Sequence, residues 1–301
     1  MPVRNHHRWL AVAALALPLA ACELTATPFS RLAGLITDEQ LHEASGIAAS
    51  RRHEDVLWLN NDGNDAALYA VGPRGGRIAR MPVEGVRARD WEDIAAYTLD
   101  GKHYLLLADT GDNGGLRETV RLVAVEEPAR LRDGATLKPA WIQDFRWPDG
   151  ARDCEALAVD PARDAILLVS KKRQPPELFT LPLRKRDKGA ATARRIGLLA
   201  GVPQADAEAV RRDPKLARLH GQVTAADVSP DGRTLAVLTY SNVLLYRREG
   251  ASTWGEAVGK PPRVHDVPLI PQPEALGWNR HGTGLYATGE FSPAPLFYLT
   301  P

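Results

Sequence analysis

The sequence predicts an all-β protein, a β-propeller of five blades, from three observations. A polar-apolar-polar triplet recurs five times, each copy is followed by a turn and an apolar strand, and two more strand patterns follow in most repeats. Four strands in each unit are typical of a propeller blade. The triplets are Glu43-Ala-Ser45, Asp90-Trp-Glu92, Asp153-Cys-Glu155, Gln222-Val-Thr224 and Gln272-Pro-Glu274.

Each triplet is predicted to begin the innermost strand of a blade. Alternate residues of a strand face the same side, so each copy directs two polar side chains one way and one mostly apolar residue the other. Six of these ten polar side chains are carboxylates. A ring of such strands would line an acidic central channel.

The other strands of each blade follow from apolar runs and turn residues, such as the Ser229-Pro-Asp-Gly turn. The second strands are predicted at residues 56–59, 104–107, 165–169, 234–238 and 284–287. The third strands are predicted at residues 67–71, 121–125, 177–181, 242–246 and 295–299. The fourth strands are predicted at residues 77–81, 140–145, 195–199 and 263–267.

The spacing of the triplets sets the number of blades. Their last residues are 47, 63, 69 and 50 positions apart, whereas blades recur at roughly 40 to 50 residues, so two blades carry insertions. The final unit has room for only three strands. Residues 31–36 are predicted to supply its fourth strand and to close the ring. The alternative is a six-bladed propeller with a further blade in residues 185–221.

The insertions are predicted at residues 114–139 and 184–220. The second begins with a charged run that is typical of a solvated loop. Its later part, residues 204–218, has a helical composition interrupted by Pro214. This insertion could form a lid over the channel or a plain surface excursion.

The N-terminal sequence predicts the cellular location of the protein. Arg4 and Arg8 precede an apolar stretch at residues 9–21, which is short for a membrane span of about 20 residues. It ends in Leu19-Ala-Ala-Cys22, which resembles the lipobox of bacterial lipoproteins. The alternative is an ordinary signal peptide with a coincidental cysteine.

The lipobox resemblance implies a signal peptide at residues 1–21 followed by an anchor linker at residues 22–30, and the repeated strands predict a single propeller domain at residues 31–301. The chain would be cut before Cys22, which would carry acyl chains such as palmitate. The protein would then be a lipoprotein of the bacterial cell envelope, anchored on the periplasmic side. By analogy with enteric bacteria, Glu23 after the cysteine favours the outer membrane.

Charge and cysteine content limit the partners. Removal of residues 1–21 removes two of the 38 basic residues and none of the 37 acidic ones, which leaves a net charge of −1. This balance predicts no nucleic acid partner. The expected partners are the membrane through Cys22 and a small anionic ligand or an envelope protein, with the chain itself a monomer. Cys154 then has no disulfide partner in the chain and is predicted to be a buried, unreactive thiol, with a reactive thiol as the alternative.

The channel residues predict a metal site. Two unit charges 4 Å apart cost about 4 kcal/mol at an effective dielectric constant of 20, so neighbouring carboxylates need protons, basic partners or a bound cation. Oxygen ligands without a histidine or cysteine cluster favour Ca²⁺. The alternative is a structural hydrogen-bonding network. The predicted metal ligands are Glu43, Asp90, Glu92, Asp153, Glu155 and Glu274.

The ends of the second strands return to the same face of the ring and make a polar mouth. Turn aspartates and asparagines often bond their own backbone, which is the alternative for several of these residues. No common enzyme motif is present. The predicted ligand-binding residues are Asn61, Asp62, Asp109, Lys171, Lys172 and Glu290. The candidate catalytic residues are Glu92, Glu155, His42 and His220, with the histidines as general bases or as ordinary surface residues.

Residues 58–65, 90–95 and 108–113 resemble segments of bacterial secreted or lipid-anchored propeller proteins of unassigned function. More distantly, the acidic channel is similar to that of calcium-dependent propeller hydrolases, namely propeller phytases, lactonases of the gluconolactonase type and five-bladed apyrases. That similarity implies calcium held by channel acids and amides and, in some members, activation of water.

Three hypotheses follow. The first is an envelope lipoprotein whose calcium-binding channel binds a small anionic ligand or an envelope partner. The second is a calcium-dependent hydrolase of a phosphoester, ester or lactone, in which the metal polarises the substrate and a channel carboxylate or an activated water attacks. The third is a purely structural envelope lipoprotein.

Overall fold

The computed structural model describes residues 29–184 and 188–301. The predicted signal peptide, Cys22 and nearly all of the predicted linker lie outside these residues. The described residues are mostly β-structure with three short α-helices and one 3-10 turn (Pro161–Arg163), and the strands form five antiparallel blades in a ring. In these two segments no helix is long and apolar enough to cross a membrane.

The strands follow the predicted order, with the innermost strand first in each blade. The chain begins with β1 (Ser30–Ile36). The first blade contains β2 (Ala44–Ala49), β3 (Leu57–Asn61), β4 (Ala67–Val71) and β5 (Arg77–Pro82). The second contains β6 (Trp91–Leu99), β7 (Lys102–Asp109), β8 (Val120–Glu126) and β9 (Pro139–Arg146).

The remaining blades have the same arrangement. The third contains β10 (Cys154–Asp160), β11 (Ala165–Ser170), β12 (Glu177–Pro182) and, after the two-residue β13 (Ala191–Thr192), β14 (Arg194–Leu198). The fourth contains β15 (Val223–Val228), β16 (Thr234–Thr239), β17 (Asn242–Arg247) and β18 (Arg263–Asp266). The fifth contains β19 (Pro273–Trp278), β20 (Leu285–Gly289) and β21 (Ala294–Leu299).

The fifth blade is closed by the N-terminal strand. β1 pairs antiparallel with β21, and the sheet order is β1-β21-β20-β19. The prediction of five blades with this closure is therefore confirmed. The six-bladed alternative is wrong, because in residues 188–221 β14 completes the third blade and β13 pairs with β9 of the second.

Apolar side chains fill the spaces between blades. The innermost strands β2, β6, β10, β15 and β19 pack against one another around the axis. Five buried apolar clusters lie between successive blades, including the pair formed by the fifth and first blades. Cys154 is fully buried in one of them, and burial raises the pKa of its thiol. This agrees with the expectation of an unreactive cysteine.

The helices lie in two inter-strand segments. α1 (Ala207–Arg212) and α2 (Pro214–Ala217) occupy the second insertion. Asp213 ends α1 and caps α2, and Pro214 is the first residue of α2, which explains the interruption at Pro214. α3 (Trp254–Val258) lies between β17 and β18 and was not predicted.

Candidate functional site

A β-bulge recurs at the same place in all five innermost strands. The pairing register skips one residue in each strand, and in every case it is the last residue of the triplet. A bulged residue is left out of the ladder, and its side chain is redirected. All five bulged residues are at most 4% exposed, and they are Ser45, Glu92, Glu155, Thr224 and Glu274.

The acids of the third and fifth blades have basic or phenolic partners. The Lys172 ammonium lies 2.8 Å from Asp153 Oδ2, and Lys171 donates a hydrogen bond to Glu155 Oε1. Glu274 accepts a hydrogen bond from the Tyr240 hydroxyl. Burial lowers the pKa of Lys171, but the charges of Glu155, Tyr240 and Glu274 outweigh burial and raise it. The pair therefore keeps its proton on Lys171, and these acids need no further cation.

Three acids of the first and second blades have no such partner. Asp62, Asp90 and Glu92, here called the acidic cluster, each offer an oxygen within 4.8 Å of the other two. In residues 29–184 and 188–301, none of the three forms an ion pair with a basic side chain. Glu92 is only 2% exposed. A carboxylate buried in this way needs a proton or a cation.

Electrostatics support this interpretation of the acidic cluster. Burial raises the pKa of Glu92, and the charges of Glu155, Asp62 and Asp90 raise it further. Burial, with the charges of Asp90, Glu274 and Glu43, raises the pKa of Asp62 to about 6. Burial also raises the pKa of Asp90, although the charge of Arg117 acts in the opposite direction.

The geometry of the acidic cluster fits a calcium ion. Two oxygens on opposite sides of Ca²⁺, each about 2.4 Å from it, are about 4.8 Å apart, and the oxygens of the acidic cluster lie within 4.8 Å of one another, so one ion could contact all three. Asp62 Oδ1 is buried and has no hydrogen-bond donor among the described residues. Gly111 packs against the cluster, because a Cβ at that position would overlap Glu92 Oε1 and Asp90 Oδ2. Every donor is a hard oxygen, as Ca²⁺ prefers.

A second group of acids also lies close together. Oxygens of Glu92, Asp153 and Glu155 lie within 4.8 Å of one another. Lys172 and Lys171 already neutralise Asp153 and Glu155. Asp153 Oδ1 also accepts a hydrogen bond from the Asp112 amide at 2.8 Å. The acidic cluster of Asp62, Asp90 and Glu92 is therefore the better cation site.

Two predicted ligand-binding residues instead hold the loops at the channel mouth. Asp109 is buried, pairs with Arg117 at 2.7 Å and accepts a hydrogen bond from the Arg89 amide at 3.1 Å. Asn61 donates a hydrogen bond to Gln40 O at 2.7 Å and accepts one from the Glu43 amide at 3.2 Å. Their side-chain oxygens are occupied by the protein itself.

Other predicted residues lie at the rim. The Glu43 side chain is 53% exposed, and its carboxylate is 4.0 Å from the ring of His42. Glu290 accepts a hydrogen bond from the Gln272 amide group. Burial and the contact with Glu274 raise the pKa of Glu290 to about 8. Glu43, His42 and Glu290 therefore surround the acidic cluster without belonging to it.

The α1–α2 segment lies beside the mouth. A cavity of about 690 Å³ separates α1 and α2 from Tyr240 and Gln272, and His220 lines it. The structure thus brings His220 to this side cavity, next to residues at the start of β19, and not into the acidic cluster. The cavity agrees with the expected position of the second insertion over the channel face.

Asp93 is a channel residue that the sequence reasoning missed. Its Oδ1 accepts a hydrogen bond from the Ile94 amide at 2.8 Å, and its Oδ2 accepts hydrogen bonds from the amides of Leu157 at 2.8 Å and Ala226 at 3.3 Å. One carboxylate therefore joins the innermost strands of the second, third and fourth blades. The four equivalent positions carry Gly or Ala, namely Gly46, Ala156, Ala225 and Ala275. An aspartate at a position where the other four blades carry Gly or Ala is the sequence signal that could have identified Asp93.

No protein-family model and no curated protein sequence match the chain. A gluconolactonase from Xanthomonas campestris is 12% identical and has a TM-score of 0.44, with 86% of this chain and 72% of that chain covered.

Two further solved structures are similar in shape. A luciferin-regenerating enzyme is 9% identical with a TM-score of 0.44, and the match covers 89% of this chain and 95% of that chain. A chain of a nidogen/laminin complex is 12% identical with a TM-score of 0.45, with 83% of this chain and 73% of that chain covered.

The raised pKa values of two carboxyl groups predict how the free energy of unfolding depends on pH. Asp227 on β15 has its pKa raised to about 6 by burial, and Glu290 has its pKa raised to about 8. The folded state then binds more protons than the unfolded state between about pH 4 and 8, so the free energy of unfolding falls as the pH rises through this window. We expect chelator-treated protein to be more stable at pH 5 than at pH 8 by about 2–4 kcal/mol, with solvent screening at Glu290 allowed for.

Urea denaturation at the two pH values measures this difference. Asp227→Asn removes one of the two groups and is expected to reduce the difference by about 1 kcal/mol. A chelator-treated wild type that is more stable at pH 8 than at pH 5 would contradict the assigned pKa directions.

Proposed function

We propose that this protein is a calcium-binding propeller that presents the ion to a small anionic ligand at the channel mouth. The observation that carries the proposal is the acidic cluster of Asp62, Asp90 and Glu92, buried in part and without basic partners among the described residues. The bound ion would supply positive charge where an anionic ligand arrives. The lipobox-like Leu19-Ala-Ala-Cys22 supports a further part of the proposal, that the protein is a lipoprotein of the bacterial cell envelope.

In this proposal the channel residues have different roles. Asp62, Asp90 and Glu92 would hold the ion, and Gly111 would leave room for it beside the two carboxylates. Lys171 and Lys172 hold Glu155 and Asp153 in place on the neighbouring third blade. The Lys172 ammonium also donates hydrogen bonds to Asn113 O and Oδ1, so it holds the loop at the channel mouth as well as Asp153.

Calcium binding is tested by the melting temperature of chelator-treated protein. A ligand that binds only the folded state at a hundredfold excess over Kd stabilises it by about 2.7 kcal/mol, which corresponds to several degrees for a chain of this size. We expect calcium to produce this rise. Glu92→Gln and Asp62→Asn should abolish the rise, and Glu92→Gln should be more stable than the wild type without calcium because it relieves carboxylate repulsion.

Glu43→Gln is the matched control for these variants. Glu43 lies at the same mouth but outside the acidic cluster, so this variant should keep the response to calcium. No response in the wild type would refute the calcium site, and loss of the response in Glu43→Gln alone would move the site to the rim.

Hydrolysis is the second candidate function, and one observation favours it. Glu155 Oε2 is buried and has no hydrogen-bond donor among the described residues, while Oε1 of the same carboxylate is held by Lys171. A fixed carboxylate with one free oxygen can accept a proton from water. Turnover of lactones, esters or phosphoesters that is lost in Glu155→Gln would establish this function.

A further inference from the structure

A cleft lined by four arginines lies outside the channel on the same face of the ring. Its volume is about 850 Å³. Arg121 is the second residue of β8 and pairs in register with Asp109, the last residue of β7. Arg89 directly precedes Asp90. These positions place the cleft beside the channel mouth. The arginine cleft is formed by Arg87, Arg89, Arg117 and Arg121.

Two of the four arginines are neutralised within the cleft. Arg117 lies 2.7 Å from Asp109, and Arg121 forms two hydrogen bonds with Asp144, at 2.6 and 3.0 Å. Asp109 and Asp144 are the two acids among the residues that line the cleft. Both acids are therefore occupied, and the other two arginines determine the net charge.

Arg87 and Arg89 carry that unbalanced charge. Neither guanidinium group forms an ion pair or a hydrogen bond with any residue in the described segments. Ala88 between them is only 4% exposed and packs into the core between the first and second blades, so its burial fixes the segment while both arginines remain exposed. The cleft thus presents two guanidinium groups with free donors and a net charge of +2.

The arginine cleft and the acidic cluster are separated by one short loop. Arg117 Nη1 donates a hydrogen bond to Gly111 O at 2.7 Å, and Gly111 packs against Asp90 and Glu92. A ligand bound in the cleft would therefore reach toward the channel mouth without crossing a blade. Guanidinium groups bind planar or tetrahedral oxyanions with paired hydrogen bonds.

We propose that the arginine cleft binds the oxyanion group, a phosphate, sulfate or carboxylate, of a small ligand. Arg87 and Arg89 supply the free donors, and Arg117 and Arg121 form the walls. This site needs no metal ion and goes beyond the calcium-binding function. A ligand bound there would approach the channel mouth from the side of the first and second blades.

The test is anion binding by the chelator-treated full chain. Inorganic phosphate, sulfate and citrate are titrated separately at constant ionic strength, and binding is followed by calorimetry and by the melting temperature. We expect saturable binding of at least one of the three anions, with the tightest one identifying the oxyanion class. The double variant Arg87→Gln/Arg89→Gln should bind that anion at least tenfold more weakly.

Arg130→Gln/Arg211→Gln is the matched control, because it removes two exposed arginines outside the cleft and changes the net charge equally. It should bind the anion as the wild type does. No saturable binding by the wild type, or equal weakening in the two double variants, would overturn the proposal. The calcium response is measured separately, so failure of the arginine cleft and failure of the calcium site are distinguishable.

Discussion

Removal of the closing strand is expected to destabilise the whole propeller by at least about 4 kcal/mol, the scale of losing a packed strand. A chain that starts at residue 38 lacks β1 and leaves β21 as an unpaired edge. It also loses Ile36, which is fully buried between the fifth and first blades. At about 2–4 °C for each kcal/mol, the melting temperature should fall by at least about 8 °C relative to a chain that starts at residue 29.

Two point variants test how much of the loss in stability comes from a buried side chain of β1. Ile36→Ala should cost about 2–4 kcal/mol because it leaves a cavity in the core. Leu35→Ala in the same strand should cost less than about 1 kcal/mol, because Leu35 is 49% exposed. A chain without β1 that melts at the temperature of the longer chain would show that the ring does not depend on this closure.

The fold was predictable because its signals are local and repeated. Each blade carries the same order of turn residues and apolar strands, and the five copies reinforce one another. The closure by residues 31–36 followed from counting strands in the last unit. α3 was missed although Thr253 and Glu256 form a capping box, a signal that was readable in the sequence.

The candidate site was predictable only in outline. The triplets located the channel acids, but sequence alone could not say which acids have basic partners. Lys171 and Lys172 follow β11 and pair with Glu155 on β10 and with Asp153 directly before it, whereas the acidic cluster receives no lysine. Which acids receive a lysine depends on where the strand ends lie in three dimensions. The structure therefore assigns the best cation site to Asp62, Asp90 and Glu92.

The β-bulge explains why Asp93 was missed. Strict alternation from Asp90 and Glu92 places Asp93 on the opposite face, away from the channel. The bulge at Glu92 breaks this alternation, and Asp93 instead bonds to strands of two other blades. A bulge depends on pairing with the neighbouring strand, so the period of a single strand does not reveal it.

Asp93→Ala is expected to cost about 2–5 kcal/mol of unfolding free energy. The substitution leaves the amides of Ile94, Leu157 and Ala226 without their acceptor, and each unsatisfied buried amide costs about 1–3 kcal/mol. Relief from burying a carboxylate offsets part of this loss, because burial raises the pKa of Asp93 well above its usual value. Urea denaturation at pH 7 measures the net cost.

Asp227→Ala is the matched control for this prediction. Asp227 is also a buried acid on an innermost strand, but across blades it accepts a hydrogen bond from the Trp278 amide alone, at 2.8 Å. Its loss should therefore cost about 1–3 kcal/mol less than the loss of Asp93, which joins three blades. If Asp93→Ala equals or exceeds the wild type in stability, the cost of burying the carboxylate is larger than the gain from its hydrogen bonds, and Asp93 does not hold the blades together.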